Sequence, residues 1–90
     1  MPETTRELTV RYFASVREGI GVGSEIVELP EEVATVGDFL DWMRSRGPAY
    51  DAALADRSSI RAAIDRLHAT PDTEMQGAGE VTIFPMMTGG

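Results

Sequence analysis

Val81-Thr82-Ile83-Phe84-Pro85 is the stretch on which the reading of this chain turns. Its β-branched and aromatic residues mark a strand, and Pro85 ends it because proline brings no N–H to a sheet ladder. Beyond it lie Met86, Met87, Thr88, Gly89 and Gly90, expected as a flexible arm over 86–90 that reaches about 16–18 Å when extended. Two residues without a Cβ can thread a narrow channel and adopt φ/ψ values closed to others. The expected reactive group is therefore the carboxylate of Gly90, with Gly89 beside it, launched from an ordered strand.

Upstream, Leu8-Thr9-Val10-Arg11-Tyr12-Phe13 reads as a strand with Leu8, Val10 and Tyr12 on one face and Thr9, Arg11 and Phe13 on the other. Gly19, Gly21 and Gly23 read as a turn, and Glu25-Ile26-Val27-Glu28-Leu29 as a second strand ended by Pro30, so an N-terminal hairpin is expected. These glycines open no helix and no Lys follows them, which argues against a phosphate loop. Thr35 is a natural N-cap for a helix carrying Val36, Phe39, Leu40 and Met43 at i, i+3, i+4 and i+7. Asp38, three residues on, supplies the acidic half of a capping box, and Gly47-Pro48 stops the helix. Residues 50–55 suggest a short second helix, and 60–65 a third strand followed by a short extended piece around Arg66-Leu67-His68.

With 90 residues, the chain has room for one modest core and one domain, 1–90. A net charge of −7 argues against nucleic acid and anionic membranes as partners, since phosphate binding depends on clustered cations. Zero cysteines exclude disulfides and thiolate chemistry, and the single His has no companions for a metal site, so no metal and no bound cofactor are expected. All eight basic residues are Arg. The start, Met1-Pro2-Glu3-Thr4-Thr5-Arg6, lacks the basic and apolar regions of a secretory leader, and a cytoplasmic location is expected.

Hairpin, helix, irregular stretch, short strands and final strand make an α+β pattern with one main helix across a mixed sheet. The β-grasp, or ubiquitin-like, arrangement fits it, with the first and last strands parallel at the centre. Three stretches then act together: residues 10–18, Ala34-Thr35-Val36-Gly37-Asp38-Phe39, and Glu80-Val81 through Phe84-Pro85 to Thr88-Gly89-Gly90. In combination they resemble the MoaD/ThiS family of sulfur carriers, nearest to the small subunits of molybdopterin synthase. The resemblance implies that Gly90 is adenylated by an E1-like adenylyltransferase of the MoeB/ThiF type using ATP. Sulfur from a persulfide donor would then make a thiocarboxylate, which enters the large synthase subunit and gives sulfur to cyclic pyranopterin monophosphate. The chain would carry the group without being catalytic alone.

If Leu8, Val10, Tyr12, Val81 and Ile83 face the helix, parity sends Phe13 and Phe84 to the opposite face, where His68 can join them. Phe13, His68, Phe84, Pro85, Met86, Met87 and Thr88 are therefore the expected partner-binding residues. Glu31-Glu32 and Asp38 with Asp41 read as solvated charge, because nothing converges on them from a second segment. Two other functions fit the residues. One is a carrier for thiamine, cysteine or tRNA thiolation, or a ubiquitin-like modifier; the other is a β-grasp binding module whose glycines are incidental.

Overall fold

The computed structural model describes residues 5–86. Its elements are β1 (Thr5–Tyr12), α1 (Ala14–Ile20), β2 (Ser24–Pro30), α2 (Val36–Arg44), α3 (Pro48–Ala53), a 3₁₀ turn (Arg57–Ser59), β3 (Ile60–Ile64), β4 (Leu67–Ala69) and β5 (Glu80–Pro85). One sheet holds all five strands in the order β2-β1-β5-β3-β4. β1 and β5 run parallel at its centre, with Val10 opposite Val81 and Tyr12 opposite Ile83. The neighbouring pairs are antiparallel.

Strand parity puts the core where the apolar pattern indicates. Leu8, Val10, Tyr12, Val27, Leu29, Ile60, Ala62, Val81 and Ile83 are buried from the sheet, and Val36, Phe39, Leu40 and Met43 meet them from α2. Each large side chain taken from water contributes about 1.5–3 kcal/mol. Truncating the fully buried Phe39 to Ala would cost about 3–5 kcal/mol through the cavity it leaves.

α2 starts where Thr35 caps it. The Thr35 hydroxyl accepts from Asp38 N at 3.2 Å, and the Asp38 carboxylate accepts from Thr35 N at 3.3 Å, completing the capping box. Further N-terminal amides of α2 find carbonyls in the 71–73 loop, Val36 N to Thr73 O and Gly37 N to Pro71 O, both at 2.9 Å.

One expectation is corrected. β1 and β2 pair as expected, but α1 joins them in place of a tight turn. Gly21, at φ 101°, is the left-handed C-cap of α1, and Gly19 lies inside the helix. A Cβ at Gly19 would stand 3.0 Å from Ala53 Cβ, so glycine is what lets α1 lie close against α3. Three helices, with α2 the longest, therefore accompany the sheet: the expected main helix, the short second helix expected near 50–55, observed as α3, and α1, which was not expected. No helix among the described residues is long and apolar enough to cross a membrane.

Candidate functional site

Because β1 and β5 are central and parallel, the chain leaves the sheet from the middle of one end, beside Phe13 and the start of β3. Pro85 is opposite Ile60, and the pairing extends one step further: Met86 N donates to Ser59 O at 2.7 Å. The 3₁₀ turn that offers this carbonyl is itself fixed. Asp56 accepts from Ser58 N at 3.1 Å and from the Ser58 hydroxyl at 2.6 Å, bonds that hold its carboxyl below the usual carboxylate range. On the other side of Met86, Arg61 donates to Met86 Sδ at 3.3 Å while its second nitrogen donates to Ile60 O at 2.8 Å. Met86, the first residue of the expected arm, is thus hydrogen-bonded to the domain. Met87, Thr88, Gly89 and Gly90 lie outside the described residues.

Phe84 and His68 meet as expected on the face opposite the helices. Their ring centroids are 5.7 Å apart in an edge-to-face arrangement, with Phe84 half-buried and His68 exposed. Phe13 is placed differently. Its backbone is extended and its N–H donates to Ile83 O at 3.1 Å, but it sits one residue beyond β1, as the N-cap of α1, and is 52% exposed. It makes no ring contact with Phe84, so the two aromatics are separate features of one end of the sheet and not a pair.

The residues missed from sequence are Arg61, Arg11 and Ile26. Arg61 is opposite Phe84 across β3 and β5, and Arg11 forms an ion pair with Glu80 on the same face. Ile26, 65% exposed, continues that face on β2. The alternation of Arg61 with Ile60 and Ala62 was visible, but only the β3–β5 register brings Arg61 to Phe84 and Met86. The surface around the chain's exit therefore joins apolar rings, a thioether and two guanidinium groups, which suits docking to a protein more than chemistry on a small molecule. Among the described residues, no group of three or more metal-binding side chains converges.

Known proteins support this architecture. The chain is similar to a putative molybdopterin converting factor subunit 1 from Pyrococcus furiosus, at 26% identity and TM-score 0.71 over 90% of this chain and 98% of that one. It is also similar to the HVO 2177 protein of Haloferax volcanii, at 26% identity and TM-score 0.70 over 100% of this chain and 92% of that one. SAMP1 from Haloferax volcanii shares the fold at 24% identity and TM-score 0.70, over 94% of this chain and all of that one. No curated protein matches the sequence. The fold is that of the ubiquitin-like β-grasp proteins. Within them, the ThiS family profile matches residues 10–90, and the chain belongs to the ThiS family.

Proposed function

We propose that this chain is the sulfur-carrying small subunit of a molybdopterin synthase. The Gly90 carboxylate attacks the α-phosphate of ATP held by an E1-like enzyme, releasing pyrophosphate. The outer sulfur of a persulfide donor then displaces AMP from the acyl carbon, because the adenylate supplies the leaving group a carboxylate lacks. A thiol cleaves the S–S bond of the resulting acyl disulfide, leaving the thiocarboxylate and a new disulfide on the donor side. The thiocarboxylate carries the sulfur into the large subunit. The observation that carries this reading is the tie between Met86 N and Ser59 O, at 2.7 Å. It fixes the last described residue, four positions before Gly90, to the end of the central strand. Support also comes from the family match through residue 90 and from the similarity to the Pyrococcus furiosus protein.

The likeness to SAMP1, a small archaeal modifier protein, favours a second reading in which the activated glycine is joined to other proteins. Both readings share activation at Gly90. ATP–pyrophosphate exchange with the E1-like enzyme of the same cell tests that step, and removal of Gly90 is expected to abolish it. Undiminished exchange by the truncated chain would overturn both readings.

A further inference from the structure

β2 forms one edge of the sheet, and its register with β1 runs unbroken from Ser24 to Pro30. Tyr12 N donates to Gly23 O, so the alternation of an antiparallel ladder turns the odd residues of β2 toward β1 and the even ones outward. Ser24, Ile26 and Glu28 therefore present their N–H and C=O groups at the edge, and no hydrogen bond among the described residues occupies them. Pro30 closes the row: it has no N–H, and its carbonyl already accepts from Val33 N at 3.1 Å. Natural sheets blunt such edges by shortness, a bulge, lysine or an internal proline. The opposite edge, β4, is three residues long. β2 has seven, with no bulge and no lysine, and carries Ile26 at 65% exposure.

Charge indicates what pairs with this edge. Arg17 is exposed, forms no ion pair among the described residues, and lies against Gly23, where a Cβ would stand 3.3 Å from its Nε. Glu31 and Glu32, also exposed, follow directly on the other end of the strand. A free cation at one end and two carboxylates at the other are what an antiparallel copy of the same strand complements, once at each end. We propose that β2 pairs with β2 of a second copy about a two-fold axis at Ile26, joining the two sheets into one.

In this register Ser24 stands opposite the second copy's Glu28, Ile26 opposite its own equivalent, and Arg17 beside the second copy's Glu31 and Glu32. Every outward N–H and C=O of Ser24, Ile26 and Glu28 gains a partner, and the two Ile26 side chains meet on the open face of the sheet. Neighbouring registers are poorer. A slip one way sets Glu25 against the second copy's Glu25, and a slip the other way sets Ser24 against Pro30, which has no N–H to give. A net charge of −7 on each copy opposes association, but at physiological ionic strength that repulsion is screened beyond about 8 Å, whereas the paired ends are in contact. β1 lies between β2 and β5, so the pairing leaves Phe84 and His68 uncovered.

Sedimentation equilibrium of the full chain at physiological ionic strength, over a wide concentration range and paired with amide exchange, tests the proposal. Wild type should rise from monomer to dimer mass with concentration, and exchange at the amides of Ser24, Ile26 and Glu28 should slow by at least tenfold over the same range. The amides of Glu25 and Val27, turned toward β1, should not change. Ile26→Pro removes an outward N–H, and Ile26→Lys sets two cations opposite each other; each should raise the dimer dissociation constant at least tenfold. Ile26→Lys, altered only in an exposed side chain, serves if Ile26→Pro folds poorly. Arg17→Glu and the double variant Glu31→Arg with Glu32→Arg should each weaken the dimer alone, and an equal mixture of the two should recover it, since every Arg again faces a Glu. A monomer at every concentration would overturn the proposal and leave this edge to a strand of another protein. So would a dimer that Ile26→Lys and the charge variants leave as tight as wild type.

Discussion

The Tyr12 hydroxyl donates to the Glu25 carboxylate at 2.6 Å, and the same oxygen accepts from Tyr50 at 2.8 Å and from Arg46 at 3.1 Å. Arg46 also lies over the Tyr50 ring at 4.7 Å and the Trp42 ring at 5.6 Å. One carboxylate thereby ties β1, β2, α3 and Arg46, in the link between α2 and α3, together at the edge of the core. Burial first, and then the bond to Glu25, raise the Tyr12 phenol well above its ordinary range, so it remains a donor. Partial burial alone would raise the Glu25 carboxyl. The bonds from Tyr12, Arg46 and Tyr50 outweigh it and hold that carboxyl below its ordinary range.

Tyr12→Phe should therefore cost about 1.5–3 kcal/mol at neutral pH, the usual size of a hydrogen bond to a charged partner. The pH dependence has a definite sign. Glu25 has a lower pKa folded than unfolded, so its contribution is fully present above the unfolded value of about 4.3 and is lost as the pH falls through the folded value. Urea unfolding of wild type and variant from about pH 5 toward pH 2 should show the gap closing. A gap that widens on acidification would contradict the assignment.

Asp65 and Arg66 link β3 to β4 with φ of 49° and 74°, both in the left-handed region. Two such residues make the type of hairpin turn that favours Asp-Gly. Asp65 has a second task, accepting from Gly79 N at 3.1 Å and Glu80 N at 3.0 Å, which pins the approach to β5. Arg66→Gly, leaving Asp65 in place, should raise stability by about 0.5–1 kcal/mol, read as a higher urea midpoint with an unchanged slope. A lower midpoint would show that the Arg66 side chain contributes more than its backbone strain costs.

The two aromatics at the exit should separate experimentally. Phe84→Ala and Phe13→Ala should each weaken association with the large synthase subunit by about 1–3 kcal/mol in calorimetric titration. Only Phe84, half-buried against His68, should also cost measurable stability. Binding unchanged in both variants would remove this end of the sheet as the docking surface.

What the sequence revealed follows from where each signal is local. Leu8, Val10, Tyr12, Val81 and Ile83 carry a period-two pattern that places both central strands, and Thr35 with Asp38 marks the start of α2 to the residue. α1 was hidden because its N-cap, Phe13, offers no side-chain bond, and Ala14 enters it at φ 53°. Its glycines resembled a turn, and the reason for Gly19 is Ala53, more than thirty positions away in a different helix. The Glu25 cluster draws its residues from β1, β2, α3 and the link before α3, and Arg61 joins Phe84 only through strand register, so neither is visible along the chain. The terminal glycines are the reverse case: plain in the sequence and beyond the described residues.

The most direct measurement is the intact mass of the protein purified from its own cells. The expected spectrum contains a species heavier than the free acid by the difference between one sulfur and one oxygen, with fragmentation placing the sulfur at Gly90. A spectrum holding only the carboxylate form, in cells with the activating enzyme and the persulfide donor present, would contradict the sulfur-carrier function.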